Sequence, residues 1–194
     1  MTVPALTPVC LSFDEYLALE EDSEVRQELV AGELRAMGGG TDIHNLIATG
    51  LGFALKSRLR GTSCHVFIGD VKVRAGDNGR YPDVFVSCAR DDNHPLYKEQ
   101  PVLIAEVLSD STQKQDRGDK FADYRQLASL EDYLLIAQSA VHIEYFCRAD
   151  NWRQRILLEN DTLVLASLNL QIPVREIYGD VLSQLSGFAD LYKQ

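Results

Sequence analysis

The nine residues PVLIAEVLS, from Pro101 to Ser109, constrain the fold more than any other stretch of this chain. Their length and β-branched content favour a strand covered on both faces over a helix, so the chain must supply a layer on each side of a sheet. Glu106 interrupts that apolar run. A carboxylate in such a strand costs several kcal/mol, on the order of the penalty for burying an ion, unless something neutralises or coordinates it. A second apolar segment, YPDVFVS from Tyr81 to Ser87, carries Asp83 in the same way. Alternation puts Asp83 on one face with Tyr81 and Phe85, and Glu106 on one face with Val102, Ile104 and Leu108. If the two strands are neighbours with these faces together, the carboxylates converge and repel. A hard divalent cation relieves that repulsion, and magnesium or manganese suits an all-oxygen site.

A helix is predicted after the Glu106 strand, from about Ser111 or Thr112 to Leu127. Asp116, Lys120 and Tyr124 recur on it at steps of four and share one face. A lysine beside a bound cation can orient a water or stabilise charge developing on a phosphate. Two acids, a metal and a lysine are the parts of phosphodiester hydrolysis. From the residues alone the favoured reading of Lys120 is as the partner of Asp116 on a solvated helix face, worth only ~0.3 to 0.5 kcal/mol. Asp83, which follows Pro82, reads also as a turn acceptor.

The remaining elements frame this centre. Ser12 and Glu15 form a capping-box pattern for a first helix, and a second helical piece is predicted from about Ser23 to Val30, with Glu28 near its end. Glu28 is either an extra acid closing the site or a helix-end charge. ELRAM reads as a strand stopped by Gly38, Gly39 and Gly40. Apolar residues from Ile43 to about Arg60 recur at helical spacing behind a Thr41 or Asp42 cap, which places His44 in the first turn. There it is either a hydrogen-bonding group for phosphate or acid, or simply structural. HVFIGDVKVRAG predicts a hairpin about Gly69 and Asp70, with Asp70 and Lys72 as candidate substrate-facing charges. The segment from Arg90 to His94 reads as a solvated loop. DYLLIA, HIEYFCRA and RQRILLE are strands, LVLASLNLQIPVREIY is a short strand and a loop, and Asp180 to Lys193 is a helix with Val181, Leu185, Phe188 and Leu191 as its apolar positions.

The 194 residues, 45% hydrophobic and 25% charged, suit one globular domain. Cys10, Cys64, Cys88 and Cys147 form no CxxC pair and are expected as reduced thiols. No basic-then-apolar leader and no run near the ~18 apolar residues of a membrane helix is present, so a soluble, cytoplasmic protein is expected. A net charge of -10 argues against non-specific coating of nucleic acid, which depends on Lys and Arg neutralising phosphates, while Lys56, Arg58 and Arg60 offer a local basic patch.

Pro82 and Asp83, then Glu106 to Ser109, then Ser111, Thr112, Asp116, Lys120 and Tyr124 resemble the Uma-two family of restriction endonucleases, within the PD-(D/E)XK nuclease superfamily. The resemblance also takes in the Glu28, Gly32, Glu33 stretch, His44 and SLEDYLLI, and so covers nearly the whole chain. It implies that Asp83 and Glu106 are metal ligands, joined by the backbone carbonyl of Val107. The superfamily lysine expected two residues after the glutamate is Leu108 here; the family is similar in this, its lysine being displaced to the following helix, here Lys120. Glu28, His44, Asp116 and Tyr124 are then supporting residues.

The expected fold is α/β, a restriction-endonuclease-like mixed central sheet flanked by helices with additional C-terminal strands. It is expected as a single domain over 1–194, with an N-terminal helical and strand segment at 10–40, a core at about 41–148, and C-terminal strands and helix at 149–194. The expected function is magnesium- or manganese-dependent hydrolysis of DNA phosphodiester bonds by Asp83, Glu106 and Lys120, in a homodimer formed through late strands. Two alternatives stand beside it: a non-catalytic binding or assembly protein that keeps the fold, and a phosphoesterase acting on a small substrate.

Overall fold

The computed structural model describes residues 10–109 and 116–189. Helix α1 (Phe13–Glu21) starts with the expected capping box: Ser12 Oγ accepts from the Glu15 N–H, and the Ser12 N–H donates to the Glu15 carboxylate at 2.8 Å. Hydrogen bonds from the Ser12 side chain and backbone hold the Glu15 carboxyl below its usual range.

The helix predicted over Ser23 to Val30 does not form. Residues there make strand β1 (Gln27–Val30), paired antiparallel with β2 (Glu33–Ala36) and with Val30 opposite Glu33. Ala31 and Gly32, at φ 51° and 81°, form the two-residue left-handed turn whose twist matches paired strands. That turn allows Leu29 to be buried against α1, a non-local gain that a helical reading of the local pattern cannot register.

Helix α2 (Asp42–Arg58) is capped by Thr41, whose Oγ1 accepts from the His44 N–H at 3.1 Å. Strands β3 (His65–Ile68), β4 (Lys72–Ala75), β5 (Asn78–Arg80), β6 (Val84–Ser87), β7 (Tyr97–Lys98) and β8 (Pro101–Leu108) follow. A π-helical turn, Asp116–Lys120, then runs into α3 (Phe121–Arg125). Next come β9 (Asp132–Ala137), β10 (His142–Cys147), β11 (Arg155–Leu158), β12 (Thr162–Leu165), β13 (Leu170–Pro173), α4 (Val174–Ile177) and α5 (Leu182–Ala189).

Two larger sheets face each other. The six-stranded one has the order β11-β10-β9-β8-β6-β3 and the five-stranded one β2-β1-β5-β4-β7, while β12 and β13 form a separate hairpin. The β8–β9 and β4–β7 pairings are parallel and the others antiparallel, which makes the sheets mixed as expected. One face of the six-stranded sheet packs Val84, Val86, Leu103, Ala105 and Leu134 against Ile47, Leu51 and Leu55 of α2. The opposite face packs Phe85, Ile104 and Leu135 against Val73 of β4 and Tyr124 of α3. Glu106 belongs to this second face.

Several local expectations are corrected. The predicted Gly69–Asp70 hairpin is instead a crossover, because β3 pairs with β6 in one sheet and β4 pairs with β5 and β7 in the other. The strand expected from Tyr81 starts at Val84, since Asn78–Arg80 is held by β1 and β4. The late segment read as one short strand and a loop is the β12–β13 hairpin followed by α4. In the predicted helix after Glu106, Ser111 and Thr112 lie outside the described residues, and the described part ends at Arg125 rather than Leu127. Of the tail helix, α5 is described, with Val181 and Leu185 buried; Leu191 and the Phe188 side chain lie outside the description. Cys64 and Cys88, expected as reduced thiols, form a disulfide. They sit one step beyond the His65–Ser87 pair of β3 and β6, an adjacency set by strand pairing and invisible in their spacing.

Helix α2 is seated through glycine. A Cβ on Gly50 would lie 2.5 Å from the backbone oxygen of Ile177, whereas one on Gly52 would meet only side-chain atoms of Ile68, Cδ1 at 2.4 Å and Cγ1 at 2.9 Å. Gly→Ala inside a helix ordinarily stabilises by about 1 kcal/mol. Here Gly50→Ala is expected to destabilise by about 1–3 kcal/mol, because a backbone carbonyl must shift, and Gly52→Ala to cost less than Gly50→Ala because Ile68 can repack. Urea unfolding midpoints of the two variants test this; a midpoint for Gly50→Ala at or above wild type contradicts the packing described.

Candidate active site

β6 and β8 are antiparallel neighbours with Val84 opposite Ala105 and Phe85 opposite Ile104. Continuing that register by one residue puts Asp83 opposite Glu106 on the same face. The two acids therefore meet where β6 begins and β8 ends. Asp83 is one-fifth exposed and Glu106 almost wholly buried. Oδ2 of Asp83 accepts from the Val107 N–H at 2.7 Å and lies 3.1 Å from His44 Nε2, an approach that requires a proton on that nitrogen. Since a strand residue directs its N–H and C=O to the same side, the Val107 carbonyl is turned towards the Asp83 edge.

The facing sheet contributes Glu28 from β1, a strand residue and not the helix-end charge one reading allowed. Its Oε1 accepts from the Tyr81 N–H at 3.1 Å and its Oε2 from Arg80 Nη1 at 3.2 Å. Lys120, only 7% exposed, bridges the two sheets: its Nζ lies 3.3 Å from Glu106 Oε1 and 3.5 Å from Glu28 Oε1. Lys120 thus lies beside Glu106, whereas Leu108 packs into the apolar face. Tyr124 donates its hydroxyl to Glu106 Oε1 at 3.0 Å. Burial, and then the charges of Glu106 and Glu28, push its pKa well above the ordinary value, so it remains a donor at physiological pH. The side chain of Asp116 lies outside the described residues.

Arg80 is a site residue that sequence reasoning missed. It is fully buried and donates to Asp123 Oδ2 through Nε at 3.0 Å and Nη2 at 2.5 Å, as well as to Glu28. Burial disfavours its charge, but hydrogen bonds to Asp123 and the charges of Glu28 and Asp123 outweigh that and raise its pKa. The only sequence signal was an arginine among residues otherwise destined for the interior.

Four carboxylates (Glu28, Asp83, Glu106 and Asp123) thus gather around two basic side chains, Arg80 and Lys120. Among the described residues no group of three or more His, Cys, Asp and Glu side chains is placed to hold a metal. The Asp83 and Glu106 carboxylates and the Val107 carbonyl are oxygen donors, the ligand type taken by magnesium and manganese, ions that accept one or two carboxylates and keep several waters.

A cavity of about 470 Å³ opens onto these groups, lined by Glu28, His44, Asp83, Glu106, Lys120 and the Gly38–Gly40 run. A larger cavity of about 660 Å³ lies at the far end of β6, beside Ser87, Arg90 and Lys98. Its one carboxylate, Asp92, is engaged by the Glu99 and Gln100 N–H groups and the Ser87 hydroxyl, so the Arg90–His94 segment is an organised loop without converging acids. Lys72 is buried against Glu20 and Asp70 pairs with Arg26, so neither faces the acid pair. Arg58 is tied to Glu176.

Replacing Arg80 by Met removes the counter-charge of two enclosed carboxylates. Arg80→Met is expected to destabilise by about 3–5 kcal/mol, and adding Glu28→Gln to recover part of that loss. Denaturant titration of the single and double variants decides it; equal midpoints for Arg80→Met and wild type contradict the buried network.

The family model described as "Putative restriction endonuclease", Uma2, matches residues 13–175. Among curated relatives, the uncharacterized protein slr1290 of Synechocystis sp. is 36% identical over 173 residues, spanning 87% of this chain and 91% of that one. The uncharacterized protein sll1609 of the same organism is 32% identical over 164 residues, spanning 82% and 92%. A crystal structure described as "a putative nuclease belonging to DUF820", from Anabaena variabilis, superposes with a TM-score of 0.75 at 15% identity, covering 89% of this chain and 99% of that one. Its likeness shows the restriction-endonuclease-like fold. Among the described residues no helix is long and apolar enough to cross a membrane.

Proposed function

Because the chain belongs to the Uma2 family of restriction endonuclease-like proteins, we propose that it is a magnesium- or manganese-dependent endonuclease that hydrolyses phosphodiester bonds in DNA. The observation that carries this reading is the opposed Asp83–Glu106 pair with Lys120 Nζ 3.3 Å from Glu106. Asp83, Glu106 and the Val107 carbonyl would hold the cation. When bound, it supplies Lewis-acid polarisation of the phosphate and a lowered water pKa.

The chain's own residues do the rest. Lys120 presents a fixed ammonium group where negative charge develops on the phosphate, and its burial strengthens that interaction relative to water. Glu28 and Arg80 keep that ammonium in place by fixing the carboxylate that faces it. His44, anchored through the Thr41 cap, holds a proton against Asp83 and so orients the carboxylate. Tyr124 orients Glu106 from the other side. The glycine run, lacking side chains, leaves room for a phosphate backbone to approach. A homodimer belongs to the same proposal: edge strand β11 leaves Ile156 and Leu158 more than half exposed, a surface suited to a second copy.

Purified protein is expected to cleave DNA when Mg²⁺ or Mn²⁺ is added and not in EDTA. Asp83→Asn, Glu106→Gln and Lys120→Met should each reduce the single-turnover rate by about 10²-fold or more. Cleavage unaffected by the first two substitutions, or by chelation, would sink the proposal. Tight partner binding with no turnover of any DNA would favour the non-catalytic alternative.

A further inference from the structure

Glu144 is a buried acid that the proposed chemistry does not use. Strand registers place Glu106 opposite Leu135 on β9, and Leu135 opposite Glu144 on β10. The three residues therefore form one row across the sheet and point to one face, with the two glutamates on the order of 10 Å apart. Above that row lies the π-helical turn Asp116–Lys120. Arg117 of that turn donates to Glu144 Oε1 through Nη2 at 2.5 Å and Nε at 3.1 Å, while Lys120, three residues on, approaches Glu106. One turn thus sets a cation on each acid of the row, with apolar Leu135 between them.

We propose that the Arg117–Glu144 pair is a latch that positions Lys120 over the Asp83–Glu106 pair; the catalytic consequence of this rests on the function proposed above. A lysine carried by a strand is fixed by the sheet ladder. Lys120 is carried by a π-helical turn, a rare form that occurs mainly as single turns, so its place is set by the contacts on either side of it. Downstream those contacts exist: Phe121 stacks on Tyr133 at 4.8 Å and packs on Phe146, and Tyr124 is tied to Glu106. Upstream, Arg117 plays the corresponding part. Its acceptor is pre-set, because Glu144 Oε2 accepts from Gln154 Nε2 at 2.8 Å, and His142 Nε2 lies 4.0 Å from Oε1. Glu144 is thereby held for a cation arriving from the turn, and not left to collapse onto its own strand. Arg117 and Glu144 are positioning residues, since they act on the reaction through Lys120.

Lysine acylation of the full-length protein, followed by peptide mass spectrometry, reads the latch without reference to activity. Lys120 and Lys72 are equally buried, at 7% exposure, but Lys72 is held by Glu20 outside the row and serves as the internal reference. Arg117→Met and Glu144→Gln are expected to raise the Lys120 acylation rate on the order of tenfold while leaving Lys72 unchanged, with Arg117→Lys restoring most of the protection. In cleavage assays the same variants should lower kcat on the order of tenfold with KM little changed, as expected of a misplaced catalytic group. An unchanged Lys120 rate in both variants overturns the latch. So does a Lys72 rate that rises in step with Lys120, or an unchanged kcat in an active enzyme. If the wild type cleaves no DNA with either metal, the nuclease reading fails while the acylation rates still decide the latch.

Discussion

Four carboxylates gathered at the mouth of an apolar two-sheet core must be balanced, and much of the local structure follows from how that balance is made. Arg80 sits beneath, fully buried, between Glu28 and Asp123. Lys120 sits above, between Glu28 and Glu106. Each of these ion pairs joins separate elements: β5 to β1 and α3, and the π-helical turn to both sheets. Isolated burial of such charges costs more than their attraction returns. Linked together and supplemented by Tyr124, the Tyr81 N–H and the Val107 N–H, they tie the two sheets together beside their apolar contacts. Asp83 and Glu106 lie where this network meets the cavity, beside His44 and Lys120.

The most legible part of the site was the part written in strands. Parity assigned a face to Glu106 in its buried strand and to Asp83 in the other, so that the two would converge if the strands were neighbours, and β6 and β8 are neighbours in that register. Helix α2 was readable for a similarly local reason, its apolar spacing and Thr41 cap lying within one stretch of chain. Wherever the outcome depended on a distant partner, local pattern misled. Gln27–Val30 carries a helical-looking pattern, yet a left-handed turn folds it onto β2. HVFIGDVKV looks like a hairpin, yet its halves enter different sheets. Cys64 and Cys88 are 24 residues apart and become neighbours only through the β3–β6 register.

Arg80 and Arg117 were hidden for a further reason. Single arginines carry no periodicity and no motif, so only the three-dimensional arrangement shows that one is wholly enclosed and the other reaches Glu144 from the turn bearing Lys120. His44 is the intermediate case. Its place in the first turn of α2 was evident, but its approach to Asp83 depends on α2 lying against the sheet face opposite the acids and reaching round the end of β6. These are contacts between layers, and layer packing is what a single sequence records least directly.

The central claim is that Asp83 and Glu106 form one divalent-cation site beneath Lys120. Crystals soaked with Mn²⁺ and measured at the manganese absorption edge test it most directly. The account predicts a single anomalous peak about 2.0–2.3 Å from one oxygen each of Asp83 and Glu106, lost in crystals of Asp83→Asn. A map with no peak between the two carboxylates at millimolar Mn²⁺, or one whose peak there survives Asp83→Asn, contradicts it.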